Sequence, residues 1–145
     1  MALVKPTRSA QWPLTAYFDI NVGTDSIVDV NGVTKNFKDT APVFEPINLP
    51  QGAVIVGGQM IVTTVSDDTG TATIAVGDSA SANRYLAATT IKSLGATALT
   101  VTGYEPAGLN IRVTLANANG NATAGKVRLV VQFIILNRAN EVYPS

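Results

Sequence analysis

The stretch KVRLVVQFIILN, Lys126–Asn137, decides the fold class. Its odd positions, Val127, Leu129, Val131, Phe133 and Ile135, are all apolar. Its even positions begin with Lys126 and Arg128 and then turn mostly apolar, with Val130, Ile134 and Leu136 around Gln132. An extended chain sends alternate side chains to opposite faces. One face of this segment is therefore core throughout; the other is wet at its start and dry at its end. The run is β-branched and aromatic rather than rich in Ala, Glu and Lys, which favours a strand in the body of a sheet over a helix.

Working outward, Leu14–Val22 alternates in the same way. Leu14, Ala16, Phe18, Ile20 and Val22 face inward, with Thr15, Tyr17, Asp19 and Asn21 opposite, as in a half-buried strand. Ser26–Val30 and Val33–Phe37 flank Asn31-Gly32, a tight-turn pair, and read as a hairpin. Val43–Leu49 is extended, but Pro46 restricts it to a sheet edge or irregular structure. Ala53–Val65 is apolar on both faces. Its Gly57-Gly58 predicts a bulge or a bend that lets one strand serve two sheets. Ser66–Gly70 reads as a hairpin loop into a strand at Thr71–Val76. Gly77–Asn83 is a loop, and Arg84–Leu94 is compatible with one short helix ended by Gly95. Thr97–Thr102 reads as a strand with Leu99 and Val101 on one face, and Gly103–Gly108 as a turn. Leu109–Ala116 alternates again. It is expected to pair with the opening strand through a hairpin loop at Asn117–Gly125. With about eight to ten short strands and at most one helix, the pattern is all-β, a sandwich or barrel. The expected division is an arm at 1–13, a β-sandwich at 14–137 and a tail at 138–145.

Composition narrows the functions. The chain has 145 residues, enough for one domain with a real core. Ten basic and ten acidic residues cancel, and only 14% of residues are charged, so no footprint for nucleic acid or an anionic membrane is expected. A neutral chain repels its own copies weakly, which favours self-association. There is no Cys and no His, which removes disulfides, thiolate metal sites and every imidazole-dependent triad. No signal peptide is read in Met1–Pro13, and no apolar run approaches the roughly 18–20 residues of a membrane span.

Candidate chemistry is sparse. Asp19, Asn21, Asp25, Asp29 and Asn31 lie close in sequence, but they lack the Gly and Glu positions of an EF-hand loop. Outward strand positions and Asx turns explain them better, and turn geometry likewise explains Asp67, Asp68 and Asp78. Nothing brings two of Glu45, Glu105 and Glu141 together as a hydrolytic pair. No catalytic, cofactor-binding or metal residues are assigned, and no enzyme is expected. Among the scattered aromatics, Tyr17 is the best exposed candidate for stacking on a sugar, although Tyr at sheet edges is ordinary.

Taken in order, LPQGAVIVGGQMIVTT (Leu49–Thr64), TATIAVGDS (Thr71–Ser79), RYLAAT (Arg84–Thr89), ALTVTG (Ala98–Gly103) and NRANE (Asn137–Glu141) resemble head decoration, or cement, proteins of podovirus-like tailed bacteriophages. The resemblance implies a jelly-roll-like antiparallel β-sandwich. It also implies attachment to the outer surface of an icosahedral capsid, between major capsid protein subunits, as a dimer or trimer made in the bacterial host cytoplasm. It carries no catalytic residues. The segments too short to fold alone hold the expected partner contacts: Leu3, Val4 and Trp12 in the arm, Val142 and Tyr143 in the tail. Ile134 and Leu136, on the dry end of the second face of Lys126–Asn137, are expected to lie under a cover. A carbohydrate- or receptor-binding module of a phage fibre is the alternative reading.

Overall fold

The computed structural model describes residues 9–10, 12–101, 109–136 and 141–142, with side chains over 12–101 and 109–136. Among them are twelve strands and no helix: β1 (Ser9–Ala10), β2 (Leu14–Asn21), β3 (Ser26–Val28), β4 (Thr34–Asn36), β5 (Val43–Ile47), β6 (Ala53–Thr64), β7 (Ala72–Gly77), β8 (Leu86–Thr90), β9 (Gly95–Ala98), β10 (Ile111–Asn117), β11 (Lys126–Ile135) and β12 (Glu141–Val142). Two four-stranded antiparallel sheets form the body, in the orders β2-β11-β6-β9 and β5-β10-β7-β8.

The pairing follows one rule. β7 pairs with β8, β6 with β9, β5 with β10 and β2 with β11, each antiparallel. The chain therefore runs as a long ribbon doubled back at the β7–β8 turn and wrapped, so that β11 also meets β6 and β10 also meets β7. This is the eight-stranded jelly roll, with the β3–β4 hairpin inserted between β2 and β5. At that hairpin Gly32 takes φ +79°, and the Asp29 carboxylate accepts the N–H groups of Asn31 and Val33 at 2.8 and 2.9 Å.

The inner faces meet in one core. Ile20, Met60, Val62, Leu129 and Val131 come from one sheet; Phe44, Ile74, Val76, Ile111, Val113 and Leu115 come from the other. Phe37 and Phe44 lie 5.0 Å apart between ring centres and Phe18 packs on both, which ties the hairpin insertion to the core. The odd residues of β11 from Val127 to Phe133 are all buried, as its alternation predicts.

Five sequence expectations need correcting. Leu109–Ala116 does not pair with Lys126–Asn137. β11 has both ladder edges filled by β2 and β6, and β10 lies in the facing sheet, so the 117–125 loop crosses between layers roughly 10 Å apart. The Ser66–Gly70 loop crosses layers for the same reason, since β6 and β7 are not partners. Arg84–Leu94 is not a helix. Tyr85 and Ile91 donate backbone bonds to β7 carbonyls at 3.0 Å, and burial of Tyr85, Leu86 and Ile91 outweighs the helix preference of Ala and Leu. Gly57-Gly58 does not carry β6 into a second sheet. Gly57 opposes Gln132 while Ile55 opposes Phe133, so Val56 is the extra residue of a bulge and β6 stays beside β11 along its length. Finally, the Thr97–Thr102 strand begins earlier, at Gly95; Leu99 is buried while Val101 is 45% exposed. Thr102 and the Gly103–Gly108 turn, with Tyr104 and Glu105, lie outside the described residues.

Candidate partner interface

The two ends of the β2–β11–β6 ladder differ in chemistry. At the end where β11 begins, polar loops are fastened to one another. The Asp68 carboxylate, on a residue only 1% exposed, accepts the N–H groups of Gly70, Asn121 and Asn119 at 2.7, 3.3 and 3.4 Å. Burial alone raises its pKa, but the N–H groups of Gly70, Asn121, Asn119 and Gly120 outweigh burial and hold it below the ordinary carboxylate value. Asp67 accepts the Thr123 hydroxyl and the N–H groups of Thr123 and Ala124 at 2.7 and 2.9 Å, which lower its pKa to about 2. The Lys92 ammonium donates to the carbonyls of Asp68 and Gly70. Asp68 does serve a turn, as expected, whereas Asp67 does not, and both bind the 66–70 loop to the 117–125 loop across layers. The sequence signal was an Asp-Asp pair plus a loop rich in Asn and Thr, with nothing in it to say that the two segments meet.

The opposite end is apolar. Leu14 opens β2 and lies opposite Phe133. Trp12 precedes it and is 68% exposed. On β11, Ile134 is half-buried and pairs with Val54, and Leu136 follows with 55% of its surface exposed. Leu14 and Val56 are partly exposed at the same end. Trp12, Ile134 and Leu136, distant in sequence, are thus brought to one end of one sheet. The short strands that flank this end in sequence also pair, β1 with β12, Ser9 opposite Val142 and Ala10 opposite Glu141. Leu3, Val4 and Tyr143 lie outside the described residues, as does the side chain of Val142.

The outer face of the same sheet carries a shallow trough. One hollow of about 440 Å³ is lined by residues that include Asp19, Asn21, Ile61, Thr63, Lys126 and Arg128. A second, of about 280 Å³, shares Ile61 with it and is also lined by Gly58, Gln59, Val130 and Gln132. Arg128 donates to Asp19 through Nε and Nη2 at 2.6 and 2.9 Å, and its guanidinium lies 4.8 Å over the Tyr17 ring. The Arg128 bond holds the Asp19 carboxyl below its ordinary range. Of the other carboxylates singled out in the sequence, Asp25 accepts from Asn21, and Asp78 accepts the N–H groups of Ala80 and Ser81 and the Arg84 guanidinium. Among the described residues no three acidic side chains converge where a metal ion would sit.

No family model matches the chain, and no curated protein matches it significantly. One solved structure does match: a chain of the cyanophage Pam1 capsid asymmetric unit, at 21% identity with a TM-score of 0.63, over 93% of this chain and 92% of that one. Nearly the whole jelly roll is shared, so the fold implied by the phage-protein resemblance is the fold observed. At this identity the likeness establishes architecture.

Proposed function

We propose that the protein is a virion structural protein that decorates and cements the outer surface of an icosahedral phage capsid by bridging major capsid protein subunits, with self-association into a dimer or trimer. The observation that carries this reading is the apolar end of the β2–β11–β6 ladder, to which Trp12, Ile134 and Leu136 are brought. The shared architecture with a cyanophage capsid chain supports it. A free protein has little reason to keep Trp12 and Leu136 in water, whereas a docking surface needs such anchors. The mechanism is mechanical. Each copy buries apolar area worth about 25 cal/mol per Å² before association costs, and many copies on one closed shell act with avidity. Leu3, Val4, Val142 and Tyr143 extend the same contact, and neither nucleic acid, membrane nor cofactor takes part.

The test is co-sedimentation with capsids of the parent virus that lack the protein. Full-length chain binds stoichiometrically. Deleting Met1–Pro13 removes β1 but none of the eight jelly-roll strands, so the truncated protein stays folded and fails to bind. A Leu136→Asp variant binds more weakly with unchanged melting. Undiminished capsid decoration by both variants sinks the proposal, as does failure of the full-length chain to bind. Light scattering of the free protein checks the oligomeric state.

A further inference from the structure

We infer that the trough on the outer face of the β2-β11-β6-β9 sheet is a binding site for an acidic saccharide, an activity separate from capsid attachment. Three features carry this. First, the face is concave for a structural reason. Gly57 on β6, opposite Gln132, and Ala96 and Ala98 on β9, opposite Ile61 and Gln59, put almost no side chain on it. The two hollows share Ile61 as a lining residue and together offer about 440 and 280 Å³, room for more than one sugar ring.

Second, the lining is of the right kind. Tyr17 is 62% exposed on the same face, at the edge of the trough, opposite Val130 of the second hollow and under Arg128 of the first. Arg128, pinned by Asp19, covers one face of its ring, which holds the aromatic in place before any ligand arrives. Planar amides and hydroxyls at Gln59, Gln132 and Thr63 supply both donors and acceptors around an apolar floor of Ile61 and Val130, the pairing a polyhydroxyl ring with one apolar face requires.

Third, the charge is unbalanced. Asp19 is matched by Arg128, but the Lys126 ammonium has no carboxylate partner among the described residues. Among the lining side chains positive charge exceeds negative by one, with the nearby Asp25 carboxylate engaged by the Asn21 amide, and a sugar carboxylate answers Lys126. A protein surface docking here would meet a polar, hollow face, whereas the apolar end of the sheet offers Trp12 and Leu136.

Calorimetric titration of the full chain with hexagalacturonate, maltohexaose and polyglutamate tests this. Hexagalacturonate binds saturably; maltohexaose binds at least about tenfold more weakly, the cost expected for losing a hydrogen bond to a charged group. Tyr17→Ala and Lys126→Gln each weaken hexagalacturonate binding by about tenfold, the latter without affecting co-sedimentation with capsids. No saturable saccharide binding overturns the inference. So does equal affinity for maltohexaose, for polyglutamate, or for hexagalacturonate after both substitutions. Capsid binding is read separately, so the two proposals stand or fall independently.

Discussion

Two neighbouring residues of β11 provide a sharp test of the core assignment. Leu129 is fully buried between Phe18 and Met60, whereas Val130 is half-buried on the outer face between Tyr17 and Gln59. Leu129→Ala removes three carbons from a packed interior that relaxes only partly, a loss of about 3 kcal/mol. Val130→Ala removes two methyl-sized groups already half in water, at roughly 0.8 kcal/mol per fully buried group, so about 0.8 kcal/mol in all. For a domain of this size each kcal/mol moves the melting temperature by about 2–4 °C. Differential scanning calorimetry should then find Leu129→Ala melting about 9 °C below the parent and Val130→Ala about 2 °C below. A one-residue slip of β11 exchanges its two faces. If Val130→Ala proves the more damaging change, the register of β11 between β2 and β6 is wrong and the core assignment falls with it.

Other consequences follow from the bulge and the loop clamp. Gly58→Ala drives a Cβ into the Val130 carbonyl at φ +142°, while the same change at Gly57 meets only the movable Gln132 amide at 2.8 Å; urea unfolding should show a loss of about 1–3 kcal/mol for the first and under about 1 kcal/mol for the second. Equal losses would remove the argument that the positive φ and the Val130 carbonyl together reserve position 58 for glycine. Asp67 has its pKa depressed to about 2 from an ordinary 3.8, so its contribution to stability is present above about pH 4 and is lost as the pH falls from there through about 2. The melting-temperature gap between the parent and Asp67→Asn should therefore narrow over that window, and a gap independent of pH would show that the carboxylate charge does not hold the Thr123–Ala124 loop.

What could be read from the chain is local and periodic. Alternation in Leu14–Val22, Leu109–Ala116 and Lys126–Asn137 identified three strands and the face each buries, because a strand's period of two is written directly in its residues. Pro46 placed β5 at an edge, where it lies, because a proline has no N–H to give a second neighbour. The candidate interface was partly legible. Trp12, Ile134 and Leu136 stood out as apolar residues without an obvious core position, and Tyr17 as an exposed aromatic.

Tertiary structure decided everything that depends on which strands meet. β10 and β11 are neighbours in sequence with suitable patterns for a hairpin, yet each completes a different sheet, because doubling the whole chain back on itself satisfies both ladder edges of β11 at once. Leu86–Thr90 became a strand because β7 offered unpaired backbone beside it. The same long-range pairing brings Trp12 and Leu136 to one end of one sheet, closes Asp67 and Asp68 onto the 117–125 loop, and lays Lys126, Asp19 and Ile61 around one trough. Periodicity tells a residue which face it is on. Only the closing of distant ladders tells it who shares that face.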